Sequence, residues 1–330
     1  MTQDAKETKS ERYGVIELGT RGYRILVADA TPTGIERVVF STGGLTPLYY
    51  SPHTRTIPPA SLADTLRLVS LAVRQCRSNH GSAKVTAFTT EVVRAADNRA
   101  EVLQTIPGLL VLDPMQEAYL SCLGASSSFE STCGFEQGFV TIDQGGGSTE
   151  VAFGRYPRVG ALGVVDHFSV PVGTKALEAS WSTAKSIPDA TETLADAVAE
   201  ALDRRKTGAF RPAIAIAVGS SITQFAQEYI RNTTGRRVSL PDLHGTTVPR
   251  SALRERVDSF TAETAKIKGP IGDTVPPELL DHAAQIAGLS TYLQVLDAFE
   301  LDEIIVSRQA LRHGVLLKRA GHVVQRLAAS

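Results

Sequence analysis

Between two strand-like runs, residues 138–142 and 149–154, the chain reads Asp143-Gln144-Gly145-Gly146-Gly147-Ser148-Thr149-Glu150. Consecutive glycines carry no Cβ, so a tight turn there bends freely and its backbone N–H groups converge on an anion. Ser148 and Thr149 add hydroxyl donors. Asp143 and Glu150, at the two mouths of the turn, repel a bare phosphate; they make chemical sense where a divalent cation joins it. An isolated run of glycines is as readily an ordinary hairpin turn. The flanking acids and hydroxyls move the reading to phosphate handling.

A second loop of this design lies near the N-terminus. Residues 13–16 read as a buried strand, Glu17-Leu18-Gly19-Thr20-Arg21-Gly22 as the turn, and residues 23–27 as the next strand. An acid again ends the strand, glycines shape the turn, and a hydroxyl and a base stand beside them. A strand–acidic turn–strand pattern recurring about 125 residues on suggests a duplicated domain. That is the organisation of the sugar kinase, Hsp70 and actin superfamily: an α/β fold of two similar ribonuclease H-like domains flanking a central cleft, their phosphate turns facing each other.

At these residues the chain resembles the exopolyphosphatase and guanosine pentaphosphate phosphohydrolase family. Glu17 to Arg24 stands where the family reads roughly D-x-G-S/T-N-S-x-R, and residues 90–98 match T-x-x-x-R-x-A-x-N with Arg94 as the arginine. Gln116-Glu117-Ala118 matches its E/Q-E-A/G, and residues 143–150 match D-x-G-G-G-S-T-E without a mismatch. Residues 169–173 resemble S-L-P-x-G, His244-Gly245 resembles V-H-G, and residues 306–314 resemble V-S-x-x-x-L-R-E-G. The matches run in order over nearly the whole chain. The departures bear on substrate choice. Glu17 lengthens the family's Asp by one methylene, and Arg21-Gly22 replaces Asn-Ser. Ala217-Val218-Gly219-Ser220-Ser221 replaces G-x-G-G-T, Arg308 stands at a usually acidic position, and His313 replaces the Glu of L-R-E-G.

The resemblance implies a phosphoanhydride hydrolase using Mg²⁺. Glu117 corresponds to the family's catalytic Glu, which activates water; its helix is mostly apolar, a setting that raises a carboxylate's pKa toward that of a useful base. Glu150 is a second candidate base or an indirect metal ligand, and Glu17 and Asp143 are the candidate metal ligands. Arg94 is the candidate cation on the leaving phosphate, since guanidinium binds phosphate bidentately. Gly19, Thr20, Arg21, Gly145, Gly146, Gly147, Ser148, Ser220 and Ser221 complete the candidate phosphate-binding set. His244 reads as a turn cap, and the other histidines lack ligand spacing.

Composition bounds these readings. The chain has 330 residues, 42% hydrophobic and 21% charged, long enough for two domains with their own cores. Its net charge of −1 argues against nucleic acid as a partner. The 3 cysteines lack metal spacing and read as reduced thiols, no signal sequence precedes residue 13, and no apolar run reaches membrane-spanning length. The expectation is a cytoplasmic protein without membrane association; a homodimer is left open. Domain boundaries are expected at residues 1–12 (a disordered tail), 13–128 and 129–308, with a helix over 309–330 packing back on the first domain. There is no additional C-terminal hydrolase-like domain in this reading, as in the family's short form.

Three functions compete: an exopolyphosphatase acting on inorganic polyphosphate, a guanosine pentaphosphate phosphohydrolase, and a non-catalytic sensor of polyphosphate or an alarmone. The intact turn at Asp143 together with Glu117 favours hydrolysis. Loss of glycines at residues 217–221 weighs most against nucleotide binding, which favours inorganic polyphosphate.

Overall fold

The computed structural model describes residues 9–19, 22–46, 48–49, 54–82, 84–129, 135, 137–158, 161–170, 173, 187–204, 210–265 and 277–327. Thr20 and Arg21 of the candidate set lie outside them. In chain order the first half contains β1 (Glu11–Leu18), β2 (Gly22–Thr31), β3 (Gly34–Leu45), α1 (Pro59–Arg74), β4 (Lys84–Thr89), α2 (Glu91–Arg94), α3 (Arg99–Thr105), β5 (Leu110–Val111) and α4 (Pro114–Ser126). Then follow β6 (Phe139–Gln144), β7 (Thr149–Arg158), β8 (Ala161–Val170), α5 (Ile187–Arg204), β9 (Ile214–Val218) and α6 (Ser220–Thr234). The chain ends with β10 (Thr247–Pro249), α7 (Arg250–Thr264), α8 (Pro277–Ala298), β11 (Glu303–Val306), α9 (Leu311–Ala320) and β12 (Val323–Arg326).

These elements form two compact units. One takes in Met1–Ser128, Arg158–Leu162 and Leu311–Gln325; the other takes in Phe129–Pro157, Gly163–Ala310 and Arg326–Ser330. The first unit is built on a sheet of order β3-β2-β1-β4-β5, in which β1 pairs antiparallel with β2 and parallel with β4. The second repeats the plan as β8-β7-β6-β9-β11, with β6 antiparallel to β7 and parallel to β9, and adds β10 and β12 at the two edges. This shared order, a meander followed by parallel strands, is the ribonuclease H-like topology, and it occurs twice.

The period of two along each strand explains the layering. In the first unit Ile16, Leu18, Ile25 and Val27 face a cluster with Leu62, Val69 and Val102. Their neighbours Val15, Leu26 and Ala28 face another, completed by Leu311, Val315 and Leu316 of α9. A sheet covered on both faces has runs of buried residues in place of an alternating pattern, as β1 and β2 show. In the second unit Val140, Ile142, Val151 and Phe153 join apolar residues of α5, α6, α7 and α8 in one continuous core.

The helix α9 packs on α4 more closely than side chains allow elsewhere. A Cβ built on Gly314 would lie 1.7 Å from the Leu120 carbonyl oxygen and 3.0 Å from the Gly124 nitrogen. The two helices therefore meet backbone to backbone. The expected helix over 309–330 is shorter than the sequence suggested. It stops at Ala320 because Gly321 adopts φ 102°, and the His322 N–H bonds to the Leu317 carbonyl at 3.0 Å, a Schellman-type closure that turns the chain into β12. At the other end, Glu11 and Arg12, expected in a tail, open β1; the Arg12 guanidinium grips both carboxylate oxygens of Asp29, at 2.6 and 2.9 Å, and holds that carboxyl down at a pKa of about 2.

Among the described residues, no helix is long and apolar enough to cross a membrane.

His322 is only 1% exposed, and burial, with Lys318 adding to it, pushes its pKa down to about 4 from 6.5. A folded pKa below the unfolded one means that the unfolded chain binds more protons between those values, so this stability is complete above pH 6.5 and is lost as pH falls toward 4. The full effect of such a shift is roughly 3 kcal/mol. Denaturant unfolding across this range should show that His322→Leu depends less steeply on pH than the parent; parallel curves would mean that His322 titrates unperturbed.

Candidate functional site

The two units place their candidate residues by one rule: chemistry gathers beyond the carboxyl ends of the parallel strands. In the first unit Glu17 ends β1, Arg94 follows β4, and Glu117 follows β5 in the first turn of α4. In the second, Asp143 lies near the end of β6, Ser220 follows β9, and Ser307 and Arg308 follow β11.

Each meander opens with the same turn. The Gly19 N–H donates to the Gly22 carbonyl at 2.9 Å, and the Gly145 N–H donates to the Ser148 carbonyl at 2.9 Å. Gly145, a candidate phosphate donor, therefore spends its amide inside the turn, and so does Gly19. Gly146 and the exposed Gly147 make no such backbone bond among the described residues. Gly173, from the stretch after β8, backs the turn: its Cβ would lie 2.5 Å from the Gly146 carbonyl carbon and 2.6 Å from the Gly145 oxygen. Only glycine fits there. Ser169, near the end of β8, donates its hydroxyl to Glu150 Oε1 at 3.0 Å.

The equivalent turns differ in charge. In β6–β7 Asp143 lies directly opposite Glu150, so two carboxylates share one mouth. In β1–β2 Glu17 lies opposite Arg24, and its Oε2 is 4.0 Å from Arg312 Nη1 on α9. Magnesium commonly takes one or two carboxylates, completing its shell with water and phosphate. The Asp143–Glu150 pair offers that donor set. Glu17, facing two bases, offers it less fully. Among the described residues there is no cluster of three or more His, Cys, Asp or Glu side chains.

Glu117 is set by a capping box. Asp113 accepts the Gln116 N–H at 2.8 Å while the Gln116 side chain accepts the Asp113 N–H at 3.1 Å, which fixes the first turn of α4. The carboxylate is 8% exposed, and its Oε2 accepts from Arg94 Nη1 at 3.1 Å. The same nitrogen donates to the Leu112 carbonyl at 2.7 Å. The apolar helix thus does not leave Glu117 alone in a dry setting; a guanidinium pairs with it.

The stretch 217–221 separates its two serines. Gly219, at φ 139°, turns the chain from β9 into α6; Ser220 is exposed, whereas Ser221 is 2% exposed and faces inward. A Cβ on Gly288 of α8 would lie 2.3 Å from Ser221 Oγ and from Gln144 Oε1, so α8 approaches this corner closely. Gln144 Nε2 reaches Thr291 Oγ1 at 3.5 Å. The motif match covered Arg312, the arginine of L-R-E-G, without giving it a role, and did not single out Gln144 or Gly288. A glycine inside an apolar helix was the available signal for Gly288.

A cavity of about 730 Å³ runs along α6 and α8, lined by Gln224, Gln227, Arg231, Arg237, His282 and Gln285 among others. Nothing in the spacing of these residues announced it, because α6 and α8 are distant in sequence.

Gly173→Ala should push the Gly145–Gly146 backbone out of place at a cost of about 1–3 kcal/mol, the usual range for overpacking. Thermal unfolding and phosphate titration by calorimetry should both weaken; an unchanged melting temperature would show that the turn yields.

A family model described as the Ppx/GppA phosphatase family matches residues 72–322. An uncharacterized protein of Streptomyces coelicolor is 28% identical over 318 residues, 93% of this chain and 90% of that one. The crystal structure of the Aquifex aeolicus Ppx/GppA family member superposes with a TM-score of 0.73 at 20% identity, covering 94% of this chain and 97% of that one. An exopolyphosphatase structure from Cytophaga hutchinsonii gives 0.70 at 17% identity, covering 95% and 99%. At these identities the structural likeness speaks for the fold, and the family model speaks for descent: the chain belongs to the Ppx/GppA phosphatase family.

Proposed function

We propose that the chain is an exopolyphosphatase, releasing terminal orthophosphate from inorganic polyphosphate by Mg²⁺-assisted attack of water. The observation that carries this reading is the Gly145–Ser148 turn: a glycine backbone backed by Gly173, with Asp143 and Glu150 opposed at its mouth. Membership of a phosphatase family supports hydrolysis as the reaction.

In this mechanism the second unit binds. The amides of Gly146 and Gly147 with the hydroxyls of Ser148 and Ser220 hold the terminal phosphoryl oxygens, and Asp143 holds the cation. Magnesium bound there supplies charge neutralisation on those oxygens. Glu150, buried and tied to Ser169, keeps Asp143 in a negative environment. Glu17 is proposed as a weaker cation ligand, since Arg312 offsets its charge. Glu117 is proposed as the proton acceptor. As water oxygen bonds to the terminal phosphorus and the bridging P–O bond breaks, Glu117 takes the water proton. Arg94 pairs with that carboxylate, and its Nε and Nη2 are the donors proposed for the leaving phosphate. Thr20 and Arg21 are proposed as additional phosphate contacts on sequence alone.

A second reading, hydrolysis of guanosine pentaphosphate, is favoured by the amide-rich cavity along α6, lined by Gln224, Gln285 and Gln227, whose Nε2 donates to the Val238 carbonyl; side-chain amides of this kind suit a base edge.

Phosphate release from long polyphosphate, tripolyphosphate and guanosine pentaphosphate, each with Mg²⁺, separates the readings. The expected order places the two polyphosphates first; faster release from the nucleotide would transfer the assignment to it, and no release from any would leave a sensor. Glu117→Gln should lower turnover by about 10²–10⁴ with KM little changed, the span of general base catalysis. Full activity in that variant would remove Glu117 from the chemistry.

A further inference from the structure

The rim of the second unit's sheet carries a base that the mechanism above does not use. In the parallel array β6, β9 and β11, Ile142 is level with Ala217 and Asp143 with Val218, and Val306 is level with Ala217. The Ser307 N–H donates to the Ala217 carbonyl at 2.8 Å, which continues the ladder by one residue. Arg308 therefore emerges just past the level of Asp143, two strands away from it. At normal strand spacing that is about 10 Å along the rim.

The backbone of Arg308 is pinned on three sides. Its N–H donates to His244 Nδ1 at 3.1 Å. Its neighbours close a tight turn around it: the Gln309 N–H donates to Ser307 Oγ at 3.2 Å, and that hydroxyl donates to the Gln309 carbonyl at 3.1 Å. His244 is itself held by stacking on Phe129, with ring centroids 4.8 Å apart. An accepting Nδ1 requires an unprotonated nitrogen, and burial together with the nearby Arg308 charge lowers the His244 pKa in the matching direction. The cation stands on a fixed base.

In the motif this stretch resembles, the position of Arg308 is usually acidic. The exchange replaces a group that repels phosphate with one that attracts it, at a distance from the Gly145–Ser148 turn that a single orthophosphate does not span. A chain of linked phosphoryl groups does. We propose that Arg308 forms a distal subsite for an inner phosphoryl group of a polyphosphate whose terminal group lies in the Gly145–Ser148 turn. The choice of ligand rests on the exopolyphosphatase reading; the subsite itself is a binding property and is testable without turnover.

Calorimetric titration of the full chain with tripolyphosphate and with orthophosphate, for the parent, Arg308→Gln and Arg308→Lys, reads the subsite directly. Because the bond to His244 comes from the backbone N–H, both variants keep it, and matched thermal melts confirm their folding. Arg308→Gln should weaken tripolyphosphate binding about tenfold or more, the loss of one charge-assisted contact, and leave orthophosphate unchanged. Arg308→Lys should recover part of the difference. Equal weakening for both ligands, unaltered tripolyphosphate binding, or no binding by the parent overturns the proposal. A parent that binds tripolyphosphate through Arg308 but releases no phosphate sinks the hydrolase reading and leaves the subsite. An unraised KM for tripolyphosphate in an active Arg308→Gln variant sinks the subsite alone.

Discussion

One amide hydrogen bond, from the first residue of a turn to the carbonyl three residues on, organises each unit. It closes Gly19 on Gly22 and Gly145 on Ser148 at the same length, 2.9 Å. Once it is made, the strand register follows, and with it the residues that oppose each other at the mouth: Glu17 with Arg24, Asp143 with Glu150. The parallel strands that pair beside β1 and β6 then deliver their own ends to the same rim. Position is set by backbone geometry, and side-chain chemistry is layered on it afterwards.

That division accounts for how two copies of one topology come to differ. In the first unit the acid at the turn is matched by Arg24 and approached by Arg312, and the buried acid on α4 is matched by Arg94. In the second unit the two acids face each other, and the base on the rim, Arg308, stands two strands away. The acid at the turn stands opposite a base in one unit and opposite a second acid in the other. A net charge of −1 for the whole chain conceals this asymmetry, because composition averages over it.

The fold was legible in sequence wherever local signals agree. Acid-terminated strands with glycine turns marked the first hairpin of each meander, and Glu303–Val306 matches the strand the sequence indicates. The end of the chain was misread because the apolar spacing of α9 runs on past Ala320, while a single glycine at positive φ overrides it. At the site, residue types were readable and their commitments were not. Arg94 is spent partly on Glu117, Ser221 is turned inward, and the Gly145 amide is consumed by its own turn. Each of these depends on a partner remote in sequence or on a backbone torsion, and neither leaves a trace in a linear motif.

The placement of α9 has a consequence for synthesis. Leu311, Val315 and Leu316 close the cluster of Tyr13, Val15, Leu26 and Phe88, residues made roughly 220 to 300 positions earlier. While a ribosome builds the second unit, the first waits with that apolar face open and with no glycine at 314 to receive the Leu120 carbonyl. The N-terminal unit is begun before the second and receives its closing helix after most of the second is made. Its nascent form therefore presents a sticky surface for the whole length of elongation, and the helix bearing Glu117 reaches its final seat only when the last helix arrives.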